Sequence, residues 1–134
     1  MESKEPQPTW VPILVVLATH HQQLTEHGGL HGVRDRNALE AALDRARNRH
    51  AYDATADLAD LAAAYAIGIA SSHPFNDGNK RAAFVTAAIF LELNGYELSY
   101  DDAEIVRVMV AVAAGRIVEA DFALWIRTGM RPLP

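Results

Sequence analysis

The chain has 134 residues, half of them hydrophobic and 22% charged, which is the composition of a globular protein long enough for one buried core. The net charge of −5 argues against general nucleic-acid binding, because that function needs a basic surface. The chain contains no cysteine, so disulfides, thiolate metal sites and thiol nucleophiles are excluded.

The N-terminal segment MESKEPQPTW is polar and contains two prolines, which is unlike a signal peptide. We expect residues 1–9 to form a flexible tail on a single domain that takes in residues 1–134. The longest apolar run, Ala82 to Leu93, is interrupted by Glu92 and is too short to span a bilayer. These features predict a cytoplasmic protein without membrane contact.

The first 50 residues are predicted to form two helices joined by a glycine-rich segment. The first helix ends at Gly28-Gly29, and its apolar face follows helical spacing through Trp10, Ile13, Leu14, Leu17, His21 and Leu24. The segment GGLHGV, residues 28–33, is predicted to form a short flap or turn. Asn37 and Glu40 have the spacing of a capping box. They open a second helix whose buried side is predicted to be Leu39, Ala42, Leu43 and Ala46.

The rest of the chain is predicted to form four more helices. The third has aspartates at its start, where the helix dipole favours them, and carries Leu58, Leu61, Tyr65 and Ile69. The fourth, from about Asn79 to Asn94, is apolar nearly all round and is expected to be the central buried helix. The fifth is capped by Asp101 and Glu104, and the sixth carries Phe122, Trp125 and Ile126 before Gly129. No strand alternation is clear, so the fold class predicted is all-α, a compact bundle of about six helices.

The segment HPFNDGN lies between the third and fourth helices, and Pro74 and Gly78 favour a loop there. The loop leads into a helix N-terminus, which binds anions through its unpaired amides and the positive end of its dipole. Gly78 permits close approach of a bulky ligand. Lys80 and Arg81 supply the charges that phosphate oxygens bind.

Two further side chains of this loop have chemistry that suits a phosphate ligand. Asp77 is a potential ligand for a Mg²⁺ ion that is also coordinated by phosphate oxygens. His73 is the residue best suited to accept a proton from a hydroxyl near neutral pH. Phe75 is expected to pack inward and fix the loop. Together the residues indicate phosphoryl or nucleotidyl transfer, although the same segment also fits an ordinary turn.

The stretch HPFNDGNKR resembles the signature loop of the Fic/Doc superfamily, and its lysine makes it similar to the Doc (death-on-curing) branch. The usual Fic pattern is His-x-Phe-x-Asp/Glu-Gly-Asn-Gly-Arg with a second arginine three residues later. Lys80 stands where that glycine would be, and Phe84 stands where the second arginine would be. The segments at 28–43, 60–75 and 88–98 also resemble Doc proteins, so the likeness covers roughly residues 10 to 127.

The resemblance implies a Fic/Doc-like helical fold and a role for each residue of the motif. His73 would be the catalytic base, and Asp77 would bind or orient Mg²⁺. Lys80 and Arg81 would also act in catalysis, and Asn79 would contribute a side-chain hydrogen bond. The residues expected to bind ATP are Asn76, Asp77, Gly78, Asn79, Lys80 and Arg81.

The resemblance also implies an activity and partners. Doc proteins transfer the γ-phosphate of ATP to a threonine of elongation factor Tu, inhibit translation and are neutralised by a Phd-type antitoxin. Many Fic proteins inhibit themselves through a Ser/Thr-x-x-x-Glu-Gly/Asn helix. No glutamate of this chain precedes glycine or asparagine, so restraint is expected from another chain. Two alternatives stay open: a Fic-type adenylyltransferase and an inactive helical interaction module.

Two other sets of residues have weaker functional interpretations. A histidine-based metal site is not favoured, because His20 and His21 are adjacent on their helix and His27 and His31 are separated by two glycines. A basic stretch is interpreted first as a solvated helix face and second as a docking surface for an acidic antitoxin segment or the target. It consists of Arg34, Arg36, Arg45, Arg47 and Arg49.

Overall fold

The computed structural model describes residues 7–134 and contains six helices and two short strands. In chain order these are α1 Ile13–His27, α2 Arg36–Tyr52, α3 Leu58–Ser72, α4 Asn79–Leu93, β1 Tyr96–Leu98, α5 Asp102–Ala113, α6 Glu119–Gly129 and β2 Met130–Pro132. The predicted all-α bundle of six helices is therefore confirmed.

Helix α3 is the most deeply buried helix of the bundle, and it packs against α2, α4, α5 and α6. Ten of its 15 residues are buried, six of them alanines, whereas six of the 15 residues of α4 are buried. The expectation that α4 is the central helix is corrected accordingly. Small side chains all round α3 let its neighbours approach on every side: a Cβ built on Gly68 would lie 3.1 Å from Ala42 Cα in α2. Within residues 7–134 no helix has the length and apolar character that crossing a membrane requires.

Helix α1 buries a face that overlaps the predicted one only in part, since Leu24 is buried and Ile13 and Leu17 pack against the core as predicted. Val16, His20 and Leu24 are buried, while Leu14 and His21 are exposed. Both faces contain apolar residues at helical spacing, so periodicity alone does not distinguish them. The buried face is the one that brings His20 against the loop between α3 and α4.

Helix α2 begins earlier than predicted, because its N-cap is Asp35 and not Asn37. The Asp35 carboxylate accepts the N–H of Ala38, which satisfies one of the free amides of the first turn. The predicted capping box of Asn37 and Glu40 is therefore wrong. The predicted buried side is confirmed: Leu39, Ala42, Leu43 and Ala46.

Two strands of three residues each were not predicted. β1 follows α4 and pairs antiparallel with β2 at the C-terminus, with Leu98 opposite Met130. Strands this short give no period-two pattern long enough to recognise. The ribbon ties the end of α4 to the end of α6.

The expected flexible tail at residues 1–9 lies largely outside the described residues, since residues 1–6 are not described. Thr9 is held in place, because its N–H donates to Asn94 Oδ1 at 2.8 Å and its carbonyl accepts from Asn94 Nδ2 at 3.0 Å. The N–H of Val11 donates to the Tyr65 hydroxyl of α3 at 3.1 Å. The chain is thus anchored from residue 9 onward.

The N-terminus of α3 is joined to α6 by an ion pair. Asp57 caps α3 by accepting the N–H of Asp60, and the Arg127 guanidinium donates to both Asp57 oxygens at 2.8 and 3.0 Å. These hydrogen bonds from Arg127 lower the pKa of Asp57 from 3.8 to about 2.

We expect Asp57→Asn to lower the free energy of unfolding at pH 7 by up to about 1 kcal/mol, because asparagine still caps the helix but the half-exposed ion pair is lost. The folded pKa is depressed, so the stabilisation is present above pH 3.8 and is lost as the pH falls through about 2. Urea unfolding at pH 7, 4 and 2 measures this difference. Asp44→Asn is the control, since Asp44 forms no ion pair among residues 7–134. A parent-to-variant difference that stays constant down to pH 2 would contradict the assignment.

Candidate active site

The loop formed by residues 73–78 begins where α3 ends at His73. The backbone of His73 is left-handed (φ 49°), and it is the one non-glycine residue with positive φ among residues 7–134. Pro74 cannot continue the helix, which ends α3 at this point. Arg34 Nε donates to the His73 carbonyl at 2.8 Å and Arg34 Nη2 to the Ser72 carbonyl at 2.9 Å. The Arg34 guanidinium thereby binds two carbonyls at the negative end of the α3 dipole. The side chain of His73 is exposed.

Phe75 fixes the middle of the loop. Its side chain is 1% exposed and stacks on His20, with ring centroids 3.7 Å apart and planes 13° from parallel. Its N–H donates to Asn79 Oδ1 and its carbonyl accepts from Asn79 Nδ2, each at 3.0 Å. The inward packing predicted for Phe75 is confirmed. The Asn79 amide thus holds the loop through one hydrogen bond at each polar end, and its second N–H is left for the phosphate contact expected of it, which stays a prediction.

His20 of α1 is a site residue that the sequence analysis missed. It is buried, and its Nε2 lies 2.8 Å from the Asp77 carbonyl. A carbonyl only accepts hydrogen bonds, so Nε2 carries the proton and donates. Burial, the largest effect, lowers the pKa of His20 below 6.5. No local sequence signal separates His20 from His21, because only the packing of α1 decides which of two adjacent residues faces the loop.

Asp77 presents an exposed carboxylate that is held by backbone amides. Its Oδ2 accepts the N–H of Leu30 at 3.2 Å and its Oδ1 accepts the N–H of Gly78 at 2.9 Å. These two hydrogen bonds, that of Leu30 first, hold the pKa of Asp77 below its ordinary value of 3.8. A carboxylate has about four lone-pair positions, so a cation still finds free ones. One carboxylate together with phosphate oxygens and waters is a donor set that Mg²⁺ accepts, so the expected role of Asp77 fits.

The N-terminus of α4 differs electrostatically from those of α3, α5 and α6. The N-cap is Gly78, in a left-handed conformation (φ 74°), with no side-chain cap and no acidic residue in the first turn. Helices α3, α5 and α6 instead carry carboxylates in their first turns. The positive φ favours glycine at position 78, and a Cβ there would make a tight contact of 3.2 Å with Leu24 Cδ2.

The first turn of α4 also holds two cations where the helix dipole disfavours them. Lys80 and Arg81 are both exposed, and neither belongs to any ion pair found among residues 7–134. The start of the helix therefore concentrates positive charge and open amides at one place. This arrangement suits a multiply charged anion such as a phosphate group.

The predicted flap, residues 28–33, lies against the same loop. Asn76 Nδ2 donates to the His31 carbonyl at 3.1 Å, and the Asn76 N–H donates to the Gly32 carbonyl at 3.1 Å. Val33 forms an isolated antiparallel bridge with Phe75. Asn76, which was expected to bind ATP, thus uses its amide nitrogen to hold the flap.

The structure bears on both weaker interpretations, the basic docking surface and the histidine-based metal site. All five arginines of the basic stretch have partners within the chain, including Glu40, Asp53, Glu119, the Trp10 ring and the end of α3. The docking interpretation is therefore not favoured. No cluster of three or more histidine and carboxylate side chains suited to a metal occurs within residues 7–134. His21 and His31 are exposed and meet through their Nδ1 atoms at 3.2 Å.

Comparison with known proteins identifies relatives of most of the chain. A protein-family model described as the Fic/DOC family matches residues 10–91, which contain α1 to α3 and most of α4. The chain is 35% identical to the Protein kinase doc of Escherichia phage P1 over 112 residues, covering 84% of this chain and 88% of that protein. It is 41% identical to the Toxin Doc of Mycolicibacterium smegmatis over 75 residues, covering 55% of this chain and 58% of that protein.

We expect ¹⁵N NMR to find the His20 imidazole as the Nε2–H tautomer with a pKa below 6.5. Between that lowered pKa and 6.5 the unfolded chain binds a proton that the folded chain does not, so stability rises with pH over this interval. His20→Gln should remove that dependence and, through the lost stacking and hydrogen bond, cost about 1–3 kcal/mol. His21→Gln, at the exposed neighbour, is the control. An Nδ1–H tautomer, or an unchanged pH dependence in His20→Gln, would refute the assignment.

Proposed function

The chain belongs to the Fic/DOC family, and on this basis we propose that it is a Doc-like toxin kinase. It transfers the γ-phosphate of ATP to a serine or threonine hydroxyl of a translation factor and so inhibits translation. The proposal draws on the 35% identity to a protein named as a kinase over most of both chains. The observation that carries it is the open N-terminus of α4, where Lys80 and Arg81 have no ion-pair partner within residues 7–134 and follow a loop that begins at an exposed histidine, His73.

Each residue of the site has a distinct role in the proposed reaction. The amides of the first turn of α4, with Lys80 and Arg81, hold the phosphate to be transferred and offset its charge. His73 accepts the proton of the target hydroxyl as its oxygen bonds to the γ-phosphorus. The bond from that phosphorus to the β–γ bridging oxygen breaks, and ADP leaves. Mg²⁺ held by Asp77 and by phosphate oxygens would neutralise charge on the nucleotide.

Phe84 supports phosphoryl transfer over nucleotidyl transfer. For nucleotidyl transfer the α-phosphate occupies the start of α4, and the outer phosphates need further cations one turn along the helix. Position 84 lies one turn from Lys80 and carries a half-buried phenylalanine, which offers phosphate no hydrogen bond. A charge-assisted contact is worth about 1.5–3 kcal/mol, so its absence is enough to favour the pose with the γ-phosphate at the helix.

Elongation factor Tu is the target we propose, by resemblance to other Doc proteins. The exposed flap beside Asp77 leaves the loop accessible to a large protein, since Leu30 and Val33 are both exposed. The alternative functions, an adenylyltransferase and an inactive module, give different results in one labelling experiment.

We expect label from γ-³²P-ATP, and not from α-³²P-ATP, to appear on purified elongation factor Tu and on a band of the same size in a translation extract. Phosphoamino-acid analysis should find the label on threonine or serine. Label from the α position would instead establish the adenylyltransferase. Absence of label from both positions would leave the inactive module.

The matched control for this assay is His73→Ala. The side chain is exposed and makes no hydrogen bond within residues 7–134, so we expect the variant to keep its fold by circular dichroism. Loss of a general base typically lowers the rate about 10²–10⁴-fold. Transfer at the parental rate would show that His73 is not the base.

We also propose that a Phd-type antitoxin restrains this chain, since the self-inhibition motif is absent from its sequence. Expression of the chain alone is expected to arrest growth, and co-expression of a small partner encoded beside its gene to relieve the arrest. His73→Ala expression is the control and should be harmless. An active chain that leaves growth unaffected when expressed alone would contradict this proposal.

A further inference from the structure

Two histidines that have no part in the proposed reaction meet beside the active-site loop. His21 is an exposed residue of α1 and His31 an exposed residue of the flap, and their Nδ1 atoms lie 3.2 Å apart. The centroids of the two rings are 4.7 Å apart. The two positions are separated by ten residues, so no helical spacing indicates the pair. Only the return of the flap against α1 brings the two rings together.

The separation of the two nitrogens matches that of two ligands on one metal ion. Zn–N bonds are about 2.0–2.1 Å long, and at a tetrahedral angle they place the two nitrogens about 3.3–3.4 Å apart. Imidazole nitrogen suits Zn²⁺, Cu²⁺ and Ni²⁺, whereas Mg²⁺ prefers oxygen ligands. Because both side chains are exposed, their rings can turn towards a shared ion, and water can complete its coordination.

A direct hydrogen bond between the two rings imposes a condition that a metal ion removes. One Nδ1 must carry a proton and the other must not, so the two neutral rings need opposite tautomers. An ion bound to both Nδ1 atoms lets both rings carry their proton on Nε2. The pair is therefore arranged for two lone pairs on one ion at least as well as for one shared proton.

The flap is the segment that such an ion would hold in place. Three of its six residues, at positions 28, 29 and 32, are glycines with positive φ, so its backbone is intrinsically permissive. On one side the flap contacts the active-site loop, since the Leu30 N–H donates to Asp77 and Val33 forms a bridge with Phe75. On the other side His31 contacts α1. An ion at this contact would join the flap to a regular helix at the edge of the active site.

We propose that His21 and His31 form a two-histidine site for a divalent transition-metal ion of the Zn²⁺ class, which cross-links the flap to α1. Structural and catalytic zinc sites have three or four protein ligands. No cluster of that size occurs in the part of the chain that the structure describes, residues 7–134, so this site binds its ion reversibly and with water as the remaining ligands. The inference does not depend on the proposed kinase activity.

Isothermal titration calorimetry with ZnCl₂ tests the site on the chain without a histidine affinity tag and without nucleotide. The titration is made at pH 7.5, where free imidazole is mostly neutral, as a metal ligand must be. The variants are His21→Gln, His31→Gln and the two combined. We expect each single variant to weaken Zn²⁺ binding at least about tenfold, because loss of a group that merely supports a metal ligand already costs about 10–100-fold. The combined variant should bind about as weakly as either single one, since both ligands serve one ion.

The matched control is His27→Gln. His27 is also an exposed histidine of α1 but is not a member of the pair, so this variant should bind Zn²⁺ like the parent. Hydrogen–deuterium exchange adds a readout of the cross-link. Zn²⁺ should slow exchange of the flap amides in the parent and in His27→Gln, and should leave it unchanged in His31→Gln. Circular dichroism checks that every variant keeps its fold.

Each result supports or overturns the inference. Binding that depends on both members of the pair, together with slower exchange in the flap, supports it. A parent chain that binds no Zn²⁺, or a His31→Gln variant that binds it like the parent, overturns it. Equal weakening in all three single variants would show adventitious binding by exposed histidines and would overturn it as well. Zn²⁺ binding by the pair without any change in flap exchange would overturn the cross-link. Because no nucleotide is present, none of these failures touches the proposed kinase function.

Discussion

The burial of one aromatic side chain, Phe75, is the constraint on which the rest of the site depends. Its ring lies against His20 of α1, and the Asn79 side chain of α4 bonds both polar groups of its backbone. The flap is joined to the same residue through a bridge to Val33. Three separate parts of the chain thus meet at a single buried residue. His73 and Asp77, which lie two residues from Phe75 on either side, stay exposed.

The start of α4 combines features that would each destabilise a helix without a ligand. It has no side-chain cap, its first turn lacks a carboxylate, and Lys80 and Arg81 lie at the positive end of the dipole. Elsewhere the chain uses favourable capping, as Asp35, Asp57 and Asp101 do at α2, α3 and α5. Of these helix starts, only that of α4 combines the lack of a side-chain cap with two cations in its first turn. An anion bound there would reverse their effect on stability.

The sequence predicted several features that depend on neighbouring residues, although it placed the N-cap of α2 at Asn37 instead of Asp35. Pro74 and Gly78 predicted the loop that the structure contains, and the anion site indicated by the cations after Gly78 stays a prediction. The partners of Asn76 and Asn79 were not predictable, because an amide binds phosphate and backbone equally well and only the folded loop decides between them. His20 was missed for a related reason: it is distinguished from its neighbour by the rotation of α1, which depends on packing between distant parts of the chain. The burial of α3 was underestimated because alanine is only weakly hydrophobic and does not mark a buried face in the sequence. Its small side chain nevertheless permits close packing between helices.

At His73 the backbone is left-handed, so the residue that best stabilises the fold differs from the residue that the proposed reaction needs. A residue with a Cβ costs roughly 1–2 kcal/mol in this conformation, and glycine adopts it without that penalty. The substitution His73→Gly would therefore raise the stability of the fold and at the same time remove the imidazole. Under the proposed function the histidine holds a reactive group here at a cost in stability, so a glycine variant would suit the preparation of an inert, more stable form of the protein.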